Sequence, residues 1–288
     1  MQTRQLGPDG PVVTRIGFGA MHLSLAGRPR EEDAVRALHL VLDSGVTLID
    51  TANVYCVDDS DIGHNERIIA RALASWGGDR SRIVVATKGG LRRPKGAWTS
   101  DARPEALRAA CEASLRDLGR DVIDVYQLHA PDPKVPLADT MGALARLRDE
   151  GKIRHVGVSN FSVKEIETAR AIVPVLSVQN RFSPTRRDSE TNGVVAHCEK
   201  HGIAFLPYSP FGGSSAAPTL GTVGSLDRTA AGFGVSPHRL VLAWMLAKFP
   251  HFFPIPGGRR LESIRDCVGA DGVQLTQADI AKVEASFG

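Results

Sequence analysis

Cysteine is scarce: Cys56, Cys111, Cys198 and Cys267 are the only four among 288 residues, and none stands at a C-x-x-C or zinc-finger spacing. This scatter gives no signal of a disulfide framework or a thiolate metal site, so reduced thiols and no bound metal are the expectation. Charge of one sign is also missing, because 35 Lys and Arg against 32 Asp and Glu leave a formal net charge of only +3. So small an excess argues against a nucleic-acid surface and for a small-molecule partner. No run approaches the roughly 20 apolar residues that span a bilayer, and no basic stretch followed by an apolar one opens the chain. A cytoplasmic chain without a membrane anchor is expected. Aromatic residues make up 6%, yet hydrophobic residues reach 42% and charged ones 23%, the composition of a globular chain with an aliphatic core.

Three sequence motifs are absent too. There is no G-x-S-x-G nucleophile elbow, no G-x-x-x-x-G-K-[ST] phosphate loop and no G-x-G-x-x-G between a strand and a helix. Serine hydrolase and P-loop chemistry therefore lack their signatures, and any nicotinamide has to bind without a Rossmann domain.

What is present is a regular beat. Apolar strand-like runs, eight in all, recur at Arg15–Gly19, Thr47–Asp50, Ile83–Lys88, Val122–His129, His155–Asn160, Val175–Gln179, Ile203–Tyr208 and Phe252–Ile255. Helical periodicity lies between them, as in Val35, Leu38, Val41 and Leu42 before Gly45, Leu107, Cys111, Leu115 and Leu118 before Gly119, and Met141, Leu144 and Leu147 before Gly151. The glycines fit C-terminal caps and Pro104 fits a first helical turn. Continuous apolar strands alternating with helices imply a parallel sheet covered on both faces, and this many repeats favour an α/β fold closed as a (β/α)8 TIM barrel. An open doubly wound sheet is the competing architecture.

Before the first barrel strand, Thr3–Leu6 and Val12–Val13 flank Gly7-Pro8-Asp9-Gly10, which predicts an N-terminal β-hairpin plugging the barrel's N-terminal end. The Gly-, Ser-, Ala- and Pro-rich stretch Ser209–Ser225 carries no apolar period and reads as a long loop after the seventh strand, a candidate lid. A helix is expected over Gln277–Ser286. No second repeat or composition break divides the chain, so residues 1–288 read as one domain.

Polar residues fall at the C-terminal ends of these strands, the face on which (β/α) barrels carry their active sites. Asp50 closes the second strand and Tyr55 follows it. Lys88, His129, Ser159 with Asn160, Gln179 and Tyr208 close the third to the seventh. Each alone has a structural explanation, since a buried Asp–Lys pair, a core His or a packed Tyr is common. Together, at one end of otherwise apolar strands, they predict a polar mouth. Tyr, Lys, Asp and His without metal-ligand spacing point to proton transfer to a polarised carbonyl.

These residues resemble the aldo-keto reductase family over nearly the whole chain. The matching stretches include Ile16-Gly17-Phe18-Gly19-Ala20-Met21, Leu48-Ile49-Asp50-Thr51-Ala52-Asn53-Val54-Tyr55, Gly63-His64-Asn65-Glu66 and Ala86-Thr87-Lys88. Further on stand Asp124-Val125-Tyr126-Gln127-Leu128-His129, Gly157-Val158-Ser159-Asn160-Phe161, Val178-Gln179-Asn180 and Pro207-Tyr208-Ser209-Pro210. The resemblance implies an NADPH-dependent reductase of small carbonyl compounds with Asp50, Tyr55, Lys88 and His129 as its catalytic tetrad. A free phenol titrates near ~10, and the Lys88 cation is expected to favour its phenolate and draw its proton into play. Asp50 would hold Lys88 charged and oriented, and His129 would hydrogen-bond the carbonyl.

The resemblance further implies that Ser159, Asn160 and Gln179 meet the nicotinamide carboxamide and that Tyr208 stacks on its ring. Ser209, Phe211 and Gly212 would pass over the pyrophosphate, with Gly19, Met21, Asp50 and Ile255 also against the cofactor. Gly257, Gly258, Arg259 and Arg260, at the opening of the last barrel helix, would take the adenosine 2′-phosphate, with Arg265 in reserve.

Two departures stand out. Ala130 follows the histidine where many relatives carry tryptophan, which predicts a wider pocket. Ser263 and Arg265 precede Asp266-Cys267 where relatives often show Glu-Asn, so adenine contacts differ. Met21, His22, Tyr55, Trp98 and Ala130 are candidate pocket-lining residues. The partner is a small carbonyl substrate, with no nucleic acid or membrane, and the chain is expected to be a monomer or a weak oligomer. The competing functions are a Schiff-base aldolase, which accounts for Lys88 alone, and an NADP(H)-binding regulatory subunit with little turnover.

Overall fold

Val84–Gly89 and Val175–Gln179 are buried at every position, as strands covered on both faces must be. The computed structural model describes residues 1–288. The first half of the chain runs β1 (Thr3–Gln5), β2 (Val12–Thr14), β3 (Phe18–Gly19), α1 (Glu31–Asp43), β4 (Leu48–Asp50), α2 (His64–Ser75), β5 (Val84–Gly89), β6 (Leu91–Arg92), β7 (Thr99–Ser100), α3 (Pro104–Leu118), β8 (Ile123–Leu128) and α4 (Leu137–Asp149). The second half runs β9 (Ile153–Ser159), α5 (Val163–Arg170), β10 (Val175–Gln179), α6 (Asp188–Thr191), α7 (Val194–Lys200), β11 (Ala204–Phe205), α8 (Leu226–Gly232), α9 (Pro237–Lys248), α10 (Leu261–Val268) and α11 (Gln277–Ala285).

The central sheet is parallel, in the order β11-β10-β9-β8-β5-β4-β3. The expected (β/α)8 barrel is borne out, with one local departure. Over Phe252–Ile255 the chain is extended but not a regular strand. Phe253 and Ile255 donate to Phe205 O and Pro207 O at 2.8 and 3.4 Å, while Pro254 O and Pro256 O accept from Gly17 and Gly19, each at 3.0 Å. Pro254 and Pro256 have no N–H to return, so the seam with β3 is hydrogen-bonded in one direction only. It still closes the barrel. The regular part of β11 is short, but its parallel pairing continues to the expected Tyr208, with Leu206 and Tyr208 donating to Val178 O and Asn180 O at 2.8 and 3.2 Å.

The N-terminal hairpin is present, β1 on β2, and Leu6 and Val13 bury among the inward residues Leu48, Val84, Ala86, Val125 and Phe253. Its place is the barrel's N-terminal end, as expected. The main core is a cluster of 61 buried residues that includes the inner faces of the helices. Pro104 opens α3 and Gly119 closes it at φ 60°, a left-handed cap that glycine adopts without strain. The stretch Ser209–Ser225, expected as loop throughout, winds into a 3-10 turn over Ala217–Thr222. The β6–β7 hairpin after β5 was not expected. No helix is long and apolar enough to cross a membrane.

Candidate active site

Asp50, Lys88 and Gln127 come from the neighbouring strands β4, β5 and β8, Gln179 from β10 beyond β9, and their side chains meet in the barrel's interior. Lys88 is completely buried; its Nζ donates to Asp50 Oδ1 at 2.7 Å and Oδ2 at 2.8 Å, to Thr51 O at 2.8 Å and to Tyr55 Oη at 3.0 Å. Gln179 and Gln127 each donate an amide N–H to Asp50 Oδ2, at 2.7 and 3.2 Å. Gln127 and Thr51 were not singled out in the sequence. Strand alternation carried the signal for Gln127, since Gln127 and His129 share the inward face of β8.

Burial controls the proton positions. Desolvation, then the Asp50 charge, raises the Tyr55 pKa well above its ordinary 10.0. Lys88 still touches the phenol, but in the cofactor-free protein burial outweighs the pull of the Asp50-paired ammonium on the phenol proton, so Tyr55 stays protonated. Lys88 itself is shifted down by burial, against which Asp50 works upward. His129 is driven well below 6.5 by burial, with Lys88 adding to the effect, and is therefore a neutral imidazole near pH 7. The closed shell around Lys88 Nζ also disfavours a Schiff-base role, since no face of the amine is open to a substrate.

Above this floor opens a cavity of about 370 Å³. It is lined by Gly19, Met21, Asp50, Tyr55, His129, Ser159, Asn160, Gln179, Tyr208, Ser209, Phe211, Ile255 and Gly257, which the sequence had assigned to catalysis or cofactor. His22, Trp98, Pro210, Gly213, Ser214 and Ala217 complete the wall. Lys88 lies sealed beneath it, and Gly212, Gly258, Arg259 and Arg260 do not line it. Nor does Ala130. In place of an aromatic at that position, Trp98 comes from just before β7 to within 6.2 Å of the His129 ring centroid, held by the Arg93 guanidinium 4.0 Å from its own. Tyr55 meets His129 edge-on at 5.8 Å.

On the far wall Asn160 takes the left-handed conformation, φ 62°. Its amide donates to His129 O at 2.9 Å and Ser159 Oγ at 3.1 Å, and its Oδ1 accepts from Tyr208 Oη at 2.8 Å. One side chain thus fixes three neighbours. Ser209 is also left-handed, at φ 51°, and Gly212 O accepts from Arg181 at 2.6 Å, so the segment after Tyr208 curls tightly. Gly19 and Gly257 run side by side: a Cβ on Gly19 would meet Ile255 O, and one on Gly257 would meet Gly19 O, both at 2.8 Å. Arg259 donates to His22 O at 3.0 Å and Gly27 O at 2.6 Å, tying the loop after β3 to the segment before α10. Arg260, the N-cap of α10, is exposed and without such a tie.

The Gly63-His64-Asn65-Glu66 stretch supports the site from behind. Asn65 donates to Ala20 O and Ser24 Oγ and accepts from Thr51, while His64 Nδ1 contacts Ser24 Oγ at 2.7 Å. Glu66 is fully buried, accepts the Thr87 hydroxyl at 2.6 Å and leaves Oε2 without a partner. Desolvation raises its pKa to about 7. A carboxyl raised on folding contributes stability below its unfolded pKa that is lost as pH rises to the folded value, here on the order of 3 kcal/mol between pH 4.5 and about 7. Glu66→Gln is therefore expected to abolish most of the wild-type loss of unfolding free energy between pH 5 and pH 8. Parallel losses in both proteins would show that Glu66 does not titrate in this range.

Residues 15–287 match the model of the aldo/keto reductase family. An uncharacterized oxidoreductase of Schizosaccharomyces pombe is 36% identical over 278 residues, covering 95% of this chain and 86% of the relative. A probable aldo-keto reductase of Glycine max is 31% identical over 312 residues, covering 98% and 88%. Among solved structures, a thermostable aldo-keto reductase in complex with the inhibitor epalrestat superposes with a TM-score of 0.83 at 27% identity, over 99% of each chain. The glycerol dehydrogenase of Gluconobacter oxydans gives the same score and identity over 98% of this chain and 94% of its own.

Proposed function

Because the chain belongs to the aldo/keto reductase family, whose members typically use NAD(P)H, we propose that this oxidoreductase reduces small aldehydes or ketones with NADPH, acting as a single barrel that is monomeric or weakly associated. The observation that carries this reading is the Asp50–Lys88–Tyr55 chain of contacts, which ends on a phenol at the cavity floor. Reduced nicotinamide, when bound, supplies the hydride to the carbonyl carbon. Tyr55 gives its proton to the carbonyl oxygen, and Lys88, 3.0 Å away, stabilises the phenolate left behind. Neutral His129 donates a hydrogen bond to the same oxygen and orients it.

The residues present fit a nicotinamide. Gln179 spends its N–H on Asp50, which leaves Oε1 to accept; Ser159 Oγ accepts from Asn160, which leaves its hydroxyl to donate. One donor and one acceptor are what a carboxamide needs. Tyr208 offers its ring face, and Gly19 and Gly257, whose missing side chains let the two backbones pack together, present bare backbone to the cavity. NADPH consumption against a panel of aldehydes, ketones and sugars tests the proposal. Tight NADPH binding without turnover of any of them would favour the regulatory-subunit alternative.

The preference for NADPH over NADH rests on the segment before α10. Arg259 already serves two carbonyls, which leaves the exposed Arg260 at the helix N-terminus as the main partner for a 2′-phosphate. Loss of one charge-assisted contact costs on the order of 1.5–3 kcal/mol, so Arg260→Ala is expected to weaken NADPH binding more than about tenfold and leave NADH binding unchanged. Equal weakening of both, measured by fluorescence titration, would move the 2′-phosphate elsewhere.

A further inference from the structure

Outside the mouth, one cluster of metal-ligating side chains stands on the outer helices. His197 lies on α7 and His201 one turn on, at its C-cap, which places both imidazoles on one face with ring centroids 4.5 Å apart. Glu167 reaches across from α5, and its Oε1 lies 2.9 Å from His197 Nε2. The three ligand atoms all fall within 4.8 Å of one another. A tetrahedral ion with bonds near 2.0–2.1 Å needs its ligands roughly 3.4 Å apart, a difference that small side-chain rotations close.

The contact between Glu167 and His197 is close without being a hydrogen bond: Nε2 is buried and has no bonded partner. A cation bound by both atoms would give the buried Nε2 the partner it lacks. We propose that Glu167, His197 and His201 bind a late divalent transition ion such as Zn(II), with water in the remaining position. Imidazole donors select Zn(II), Ni(II) or Cu(II) over Mg(II) and Ca(II). Arg170 opposes the ion, because its Nη1 donates to Glu167 Oε1 at 2.7 Å and must swing aside or become an outer partner of the carboxylate.

His201 closes α7 just ahead of β11, so the site lies toward the N-terminal ends of the strands, opposite the catalytic mouth. The bound ion clasps α5 to α7 and stabilises the barrel without entering its chemistry.

The test uses the full chain, free of any affinity tag, treated with chelator and dialysed, then titrated with ZnCl2 by calorimetry and melted with and without the ion. One ion per chain is expected, with a Tm rise of about 4–8 °C at a hundredfold excess of ion over Kd. His201→Ala and His197→Ala should each weaken Zn(II) binding at least about tenfold, the loss expected of a missing ligand. Arg170→Gln should tighten it, and MgCl2 should not bind. NADPH-dependent turnover should be the same in all variants. The proposal is overturned by equal Zn(II) affinity in wild type and His201→Ala, or by Arg170→Gln binding no tighter. If His197→Ala fails to fold, His201→Ala at the helix end carries the test.

Discussion

Tyr55→Phe is expected to lower kcat for carbonyl reduction by at least ~10²–10⁴-fold, the range for loss of a general acid, while NADPH affinity stays within roughly twofold. The substitution removes one hydroxyl and little else. Lys88 keeps Asp50 and Thr51 as partners, so the ammonium is not stranded, and the phenyl ring keeps its edge contact with His129. With Tyr55 shifted above 10.0 and His129 below 6.5, neither group changes protonation between those values in the cofactor-free protein. The deficit should therefore be the same across that range, and a pH shift should not rescue it. Stopped-flow turnover and a cofactor titration separate the possibilities: a variant within tenfold of wild type removes Tyr55 from proton transfer, and a variant that no longer binds NADPH reassigns it to the cofactor.

The polar group at the barrel mouth was legible because apolar strands have no packing reason to end in Asp, Lys, His and Gln, and a barrel sends all such ends to one face. Contacts within a strand-end set follow from register, which alternation reveals; this is why Asp50, Lys88 and Gln179 could be named and why Gln127 could have been. Loop residues obey no such period. Trp98 could as well have been ordinary loop packing and Ala130 was the position expected to shape the pocket, and only the short β6–β7 hairpin decides that Trp98 stands beside His129. Arg259 and Arg260 read as an equivalent pair, yet one is turned back onto two carbonyls by the fold of a loop far away in sequence. The eighth strand shows the reverse limit: its apolar run was visible, but Pro254 and Pro256 decide that the barrel closes through accepted hydrogen bonds on that side.

The buried ion pair leads to the second large effect. Lys88→Met is expected to destabilise the fold by about 3–5 kcal/mol as well as abolish turnover, because it leaves a carboxylate in the barrel interior without its counter-charge. Asp50 is 2% exposed. Both of its oxygens accept from Lys88, and the amide donors from Gln127 and Gln179 both fall on Oδ2, so Oδ1 loses its only donor. Methionine matches the lysine stem in length and fills the space, which isolates the electrostatic cost from a cavity cost. The doubly substituted Asp50→Asn, Lys88→Met chain has no unpaired charge and should recover most of the lost unfolding free energy while remaining inactive. Denaturant unfolding at pH 7 with matched m-values measures both. If the single variant is as stable as wild type, the carboxylate has taken up a proton or found water, and the pair contributes nothing to folding. If the double variant is no better than the single, the loss lies in packing and not in charge. Recovery of stability without activity is the expected result, since the pair's role in turnover is to hold a cation against the Tyr55 phenol, a role that no neutral pair can fill.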